Sequence, residues 1–282
     1  METSILYFDC FSGISGDMTI AALLDLGIDQ NLFLKNLEKL HLNEYSLEIK
    51  KGMKNGISGT DFSVNVFQKA DVQEVSKSKN FLGQIHLSTD QNVKPDHKLF
   101  AENQNHQDHP NSRNLNDIFR MIDTSELSDF VKHNSKRVFQ IIGEAEAKIH
   151  AKSIEEIHFH EVGAVDSIVD IVGAVICLEI LRIDTIISSP LNLGSGMVKC
   201  EHGMFPVPAP ATLEIVKNIP VYSGQIEKEL TTPTGAAIIK AFAQSYGKIP
   251  EMYIEKTAYG LGKRTFEVPN VLRVILGKKK KI

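Results

Sequence analysis

Strand-forming residues cluster at Ile5, Leu6, Tyr7 and Phe8, followed by a Ser/Gly-rich turn at 12–16. The spacing then becomes helical, with Met18, Ala21, Ala22 and Leu24 apolar. This predicts strand, glycine loop and helix, closed by Gly27 as the residue just past the last turn. A second helix is expected over 32–40. Two strands at 45–49 and 61–67 read as a hairpin around the Lys/Gly/Asn stretch 51–56. The first α/β unit thus covers residues 1–75.

Periodicity then fades. Residues 76–114 are dominated by Lys, Ser, Asn, Gln, Asp and His, too polar to offset the entropy of ordering a backbone, and are expected to form a His-rich flexible linker. Order resumes at 115–122 and in a long amphipathic helix with Val131, Val138, Ile141, Ile142, Ala145 and Ile149 on one face and a Glu144/Lys148 pair on the surface. There follow a strand at 154–160, a buried helix at 166–181, a strand at 185–188 and a Gly/Pro-rich stretch to 210. Helices at 211–217 and 235–246 and strands near 253–255 and 270–276 complete the pattern. The fold class expected is mixed α/β (α+β): a small N-terminal strand-loop-helix unit joined by the linker to a larger mixed domain over 115–282.

Charge and cysteine content narrow the function. With 31 Lys+Arg against 35 Asp+Glu the net charge is -4, so there is no electrostatic footprint for nucleic acid or anionic lipid. Cys10, Cys177 and Cys200 are odd in number and far apart, which argues against a disulfide framework or a zinc knuckle and for a reducing, cytoplasmic setting. The apolar stretch 168–181 is interrupted by Asp170 and Glu179 and is too short for a membrane span. No nucleic-acid or membrane partner is expected.

Several constellations could carry chemistry. On a strand, His158 and His160 would face the same side and could share one divalent ion, with Glu161 next in the chain. Asp166 and Asp170, four apart on the following helix, would add hard oxygen donors. Taken alone, an H-x-H pair is more often structural, its imidazoles bonded to backbone or carboxylate. The linker's His86, His97, His106 and His109, among Asp90, Asp96, Asp108 and Glu102, could wrap a borderline metal or simply be solvated.

The loop Ser12, Gly13, Ser15, Gly16 between strand and helix suits a phosphate by its N–H groups and helix dipole, although Asp17 favours a cap or a metal there. Asp9 leaves a metal-bridged phosphate open. Thr231, Thr232, Thr234 and Gly235 open another helix with hydroxyls and offer either a cap or an anion site. Glu201 and His202 are displayed on a loop. Lys263 and Arg264 follow a glycine turn and suit a phosphate or a surface hairpin. Serine-hydrolase, zincin, dinucleotide and P-loop signatures are absent.

The strings YFDCFSGISGDM at 7–18, HFHEVGAVDSIVD at 158–170, PLNLGSG at 190–196, EHGMFPVPAP at 201–210 and ELTTPTG at 229–235 resemble, in order and over nearly the whole chain, those of the LarC family of nickel insertion proteins. The resemblance implies a nickel insertase, or cyclometallase, that places nickel into pyridinium-3,5-bisthiocarboxylic acid mononucleotide. Carbon–nickel and sulfur–nickel bonds would form at the expense of CTP, handled with Mg or Mn by the full-length family protein. The product is the cofactor of lactate racemase, making that apoenzyme or a related acceptor a partner.

On this reading His158, His160 and Glu161 handle metal with Asp166 and Asp170 in support, and Glu201 and His202 act as catalytic metal or proton-transfer groups. Ser12 to Gly16 and Thr231 to Gly235 bind phosphate, and a homo-oligomer is expected. On the same reading the family's C-terminal nucleotide-handling domain is expected to be missing from this chain. The lysine run after Gly277 is what an A-rich slippery coding stretch would yield, so the chain is expected to be an unshifted product whose downstream frame encodes that domain. The alternatives are a nickel-binding subunit or metallochaperone that needs the separate domain and, from Asp9, Asp17 and the two histidines, a metal-dependent phosphohydrolase.

Overall fold

The computed structural model describes residues 2–67, 113–159, 163–200 and 203–280. The linker expected at 76–114 therefore lies outside the described residues, except for its last two. The architecture is mixed α/β. Its centre is a seven-stranded mixed sheet in the order β11-β6-β1-β13-β12-β3-β2, and strands from both the first and the second half of the chain build it.

The first strand, β1 (Glu2–Asp9), leads into α1 (Gly16–Asp25). Leu26 caps that helix and Gly27 follows with φ 98°, the left-handed residue foreseen there. Asp29 caps α2 (Gln30–Glu38) by accepting from the N–H groups of Asn31 and Leu32. The hairpin β2 (Tyr45–Lys54) and β3 (Ile57–Val66) is longer than expected, and its turn is only two residues. Asn55 and Gly56 both take positive φ, the conformation that matches the right-handed twist of flanking strands.

After the short β4 (Arg113–Asn114) come α3 (Leu115–Thr124) and α4 (Asp129–His150), then β5 (His158–Phe159), which pairs with β4. A full strand over 154–160 is not formed. Residues 154–156 coil into a 3₁₀ turn because Ser153 and Glu156 close a capping box, leaving only two residues to pair. On α4, Val131, Val138, Ile142 and Ala145 are buried as expected, whereas Ile149 is exposed. Lys148 reaches Glu214 at 2.7 Å instead of Glu144.

The buried helix is α5 (Val165–Leu181), followed by β6 (Thr185–Ser188), β7 (Leu191–Asn192), the hairpin β8 (Met197–Cys200) and β9 (Gly203–Pro206), and α6 (Pro210–Ile215). Next come β10 (Val221–Tyr222), α7 (Pro233–Phe242) and β11 (Ser245–Tyr246), so the helix expected to reach 246 stops at Phe242 and the chain joins the sheet edge. Two long strands, β12 (Tyr253–Leu261) and β13 (Val271–Lys280), finish the fold. β13 lies antiparallel between β1 and β12, while β6 is parallel to β1.

Because side chains alternate across a strand, Leu6, Phe8, Ala258, Leu272 and Val274 face one side of the sheet, where they join α1, α4 and α5 in one core. α1 lies directly on the sheet at Gly260, where an added Cβ would sit 2.0 Å from the Met18 carbonyl oxygen. Tyr7 and Ile275 pair on the opposite side and are buried too, with the Tyr7 hydroxyl donating to the Gly247 carbonyl. The carboxyl ends of the neighbouring parallel strands β1 and β6 emerge together, and the loops after them build the site. Among the described residues no helix is long and apolar enough to cross a membrane.

Candidate functional site at the carboxyl ends of β1 and β6

Open α/β sheets bind ligands outside the carboxyl ends of their parallel strands. Here the loop 10–15 after β1 turns back on itself, with the Gly13 N–H donating to the Cys10 carbonyl at 3.0 Å. Gly13 has φ 82°, and a Cβ on it would lie 2.0 Å from the Leu230 carbonyl oxygen, so no other residue fits. The Ile14 N–H donates to the Leu230 carbonyl, and the Thr232 N–H donates to the Ile14 carbonyl, each at 3.0 Å. The two hydroxyl- and glycine-rich segments singled out in the sequence, Ser12 to Gly16 and Thr231 to Gly235, are thereby brought together. Gly235 permits the contact, since its Cβ would meet the Ile14 oxygen at 2.3 Å.

Asn192 ties the loops into one body. Its Nδ2 donates to the Phe11 carbonyl at 2.7 Å, and its Oδ1 accepts from the N–H groups of Gly194 at 3.1 Å and Gly224 at 3.0 Å. Its own carbonyl accepts from the Thr231 hydroxyl at 2.7 Å. Thr232 Oγ1 caps α7 by accepting from the Gly235 N–H at 3.2 Å and lies 2.9 Å from Thr234 Oγ1. Ser12 is buried, and its hydroxyl has no partner among the described residues.

At α1 the first turn is answered by carboxylates. Asp17 Oδ1 accepts from the Met18 N–H at 2.8 Å and from the Ser15 hydroxyl. The Asp17 N–H in turn faces Asp170 and favours its charged form. Gly16 lets α5 come this close, because a Cβ there would be 2.6 Å from Asp170 Cβ. Asp170 Oδ1 is enclosed and without a partner among the described residues. Burial, followed by the repulsion of Asp17 and Asp166, holds its carboxyl well above the usual carboxylate range; Lys263 and the Asp17 N–H pull the other way.

Asp166 stands exposed in the first turn of α5, where its Oδ1 accepts from the Ser167 N–H at 2.9 Å. Lys263 Nζ binds the Phe62 carbonyl and Ser63 Oγ, both at 2.6 Å, and Asp61, and stands 4.0 Å from Asp17 Oδ2.

Of the sequence candidates, the structure therefore joins Ser12, Gly13, Ser15, Gly16, Thr231, Thr232, Thr234 and Gly235, and places Asp170 against the first group. The His158 backbone pairs with Asn114 in β5. His160, Glu161, Glu201 and His202 lie outside the described residues, the last two between the strands of the β8–β9 hairpin. Among the described residues no three His, Cys, Asp or Glu side chains are placed to hold an ion. The Cys10 thiol is fully buried beside Ser188, and burial pushes it up to about 12, so it is no nucleophile at neutral pH.

A family model described as "Nickel insertion protein" matches residues 6–282. The chain belongs to the nickel insertion protein family. A member from Clostridium kluyveri, named "Pyridinium-3,5-bisthiocarboxylic acid mononucleotide nickel insertion protein", is 45% identical over 278 residues, which is 98% of this chain and 63% of the relative. One of the same name from Clostridium acetobutylicum is 47% identical over 274 residues, 97% of this chain and 64% of the relative. A "Putative nickel insertion protein" from Dictyoglomus thermophilum is 44% identical over 272 residues, 96% of this chain and 60% of that protein. The chain thus spans less than two thirds of the length of these relatives. No solved structure matches it.

Within the family frame, two residues of the site escaped the reading of single motifs. Asn192 sat inside the quoted 190–196 string but drew no role, because a buried amide that ties four segments together has no local signature. Lys263 was noted only as a cation after a glycine turn. Its engagement with Asp61, Phe62 and Ser63 depends on β12 lying parallel beside β3.

Proposed function

We propose that this chain takes part in inserting nickel into pyridinium-3,5-bisthiocarboxylic acid mononucleotide. The observation that carries the reading is the 45% identity, over 98% of the chain, with the Clostridium kluyveri protein of that name. The reaction class is cyclometallation: a ring C–H is exchanged for carbon–nickel while two sulfurs bind the same ion, so a proton must leave and nickel must shed its carrier ligands. Imidazole donors suit nickel, and hard oxygen donors bind it more loosely, which favours release. His158, His160 and Glu161 are assigned to hold the nickel, with Asp166 and Asp170 in support and Glu201 and His202 taking part in metal or proton transfer. The substrate phosphate is assigned to the joined segments Ser12 to Gly16 and Thr231 to Gly235. The Thr231 to Gly235 side is preferred because carboxylates already answer the first turn of α1.

The reading includes CTP with Mg or Mn as co-substrate, a lactate racemase-like acceptor, a homo-oligomer and a cytoplasmic setting. Coverage of only 63% of the relative's length favours a second form, in which the chain is the nickel-handling part and turns over only with the remainder of the family protein. The test is nickel insertion into the bis-thiolated mononucleotide, with CTP and a divalent ion, by this chain alone and with the remaining part of a relative added. Insertion by the chain alone supports the full reading, and insertion only on addition supports the second form. Nickel-independent phosphate release from simple phosphomonoesters, without insertion in either case, would replace both with a hydrolase. Replacing both His158 and His160 by Ala is expected to cut nickel binding at least tenfold; unchanged binding would remove them from the site.

A further inference from the structure

Asp9, Arg273 and Tyr259 stand in one row across three adjacent strands. Asp9 of β1 is opposite Arg273 of β13, which is opposite Tyr259 of β12, so all three project from the same face of the sheet. Arg273 donates from Nε, at 2.9 Å, and from Nη2 to a single oxygen of Asp9, Oδ2. The Tyr259 side chain is also within electrostatic reach of the guanidinium. The Asp9 side chain is only 15% exposed, whereas that of Arg273 is 41% exposed. The pair therefore turns its cation outward on a buried, fixed carboxylate, and the guanidinium edge carrying Nη1 is not used by Asp9.

Aromatic surface surrounds this cation. The guanidinium carbon lies 5.9 Å from the centre of the Phe11 ring. Tyr222, 43% exposed, brings its hydroxyl to 3.5 Å from the Phe11 carbonyl, a long, weak bond that leaves much of the ring in solvent. Burial, then Asp9 and Cys10, push the Tyr222 hydroxyl up, which sets that ring within electrostatic reach of Asp9. A half-exposed cross-strand ion pair adds little to stability, so the fold alone gives little reason for an Asp, an Arg and these rings to meet here. All of this lies at the carboxyl end of β1, and the segment bearing Phe11 runs directly on into Ser15, Gly16 and Asp17.

We propose that Asp9, Arg273, Phe11, Tyr222 and Tyr259 form the recognition site for the pyridinium mononucleotide. This rests on the substrate class proposed above. A pyridinium ring is flat and cationic, so it is drawn to aromatic faces and to Asp9, while its anionic substituent takes the planar fork of Arg273. The anion at Arg273 is a ring carboxylate or its sulfur analogue, both acceptors of the same fork, while the phosphate stays with the joined loops assigned to it above.

The experiment is calorimetric binding of nicotinate mononucleotide, nicotinamide mononucleotide and inorganic phosphate to the full chain, to Arg273→Gln and to Tyr222→Ala. Nickel binding is measured in the same preparations. Nicotinate mononucleotide is expected to bind the wild-type chain and to weaken at least tenfold in Arg273→Gln and several-fold in Tyr222→Ala, with nickel binding unchanged. Loss confined to the nicotinate compound places the ring carboxylate at Arg273; equal loss with both nucleotides would place the phosphate there and overturn that assignment. Wild-type affinity in both variants, or no binding of either nucleotide by the wild-type chain, overturns the proposal. Tyr222 is exposed, so its variant reads the site even where Arg273→Gln disturbs β13. A wild-type chain that binds the nucleotide but inserts no nickel, with or without the remaining part, would count against the proposed reaction and leave this site standing.

Discussion

Asp170 is the residue whose surroundings oppose its own ionisation most plainly. It is enclosed between α1 and α5, faces Asp17 and Asp166, and keeps one oxygen without a partner. Its folded pKa lies above the unfolded value of about 3.9, so the folded chain holds the proton more tightly than the unfolded one. Its contribution to stability is therefore present below the unfolded pKa and is lost as pH rises towards the folded one. Asp170→Asn keeps an oxygen for the Asp17 N–H and removes the charge. The variant is expected to melt higher than the wild type at pH 7 by more than it does near pH 4, while nickel insertion falls. An equal difference at both pH values, measured by thermal melts, would show that the carboxyl carries no such strain. A residue that costs stability within a candidate site fits the common trade between stability and activity.

At the scale of elements, the site is a set of loops held by one amide. The Asn192 side chain accepts from two N–H groups and donates to one carbonyl, joining the ends of β1, β7 and β10, while its backbone carbonyl accepts from Thr231 ahead of α7. Each buried hydrogen bond contributes about 0.5–1.5 kcal/mol net, so Asn192→Ala is expected to lower the unfolding free energy by roughly 2–4 kcal/mol. Denaturant titration measures this; a loss below about 0.5 kcal/mol would mean the loops hold their shape without the amide. The same elements explain why α1 and α7, far apart in sequence, begin at one place. Ile14 is bonded on both sides by Leu230 and Thr232, and glycines at 13, 16 and 235 remove the side chains that would keep the backbones apart.

At the scale of the whole molecule, the last strand in sequence is near the middle of the sheet. β13 pairs along its length with β1 on one side and β12 on the other, and it carries Arg273 into the row with Asp9. A chain cut after residue 262 leaves one edge each of β1 and β12 without its long partner and takes the buried Leu272 and Val274 out of the core. Such a fragment is expected to show no cooperative unfolding transition by circular dichroism; a sharp transition near that of the full chain would contradict the central place of β13. The first 67 residues likewise lack β6, β12 and β13, so the strand-loop-helix unit at the N-terminus completes its sheet only with strands from the far end of the chain.

Much of this was legible in the residues. Apolar spacing located α1, α4 and α5, Gly27 marked a helix end, and the long unusual strings indicated the family, because periodicity, caps and motifs are local properties of the chain. Strand lengths were read short: β12 and β13 run on through Glu255, Lys256 and Lys278 to Lys280, where pairing with neighbours, not alternation, sustains the strand. The strand expected at 154–160 gave way to a 3₁₀ turn because a capping box competed locally with pairing. The sequence named Ser12, Gly16, Thr231, Gly235 and Asp170 one by one. Only the tertiary structure set the first four against one another and Asp170 behind Gly16, and only strand register put Arg273 beside Asp9. Contacts between residues more than 150 positions apart depend on which strands and helices lie side by side, and no short stretch of chain encodes that order.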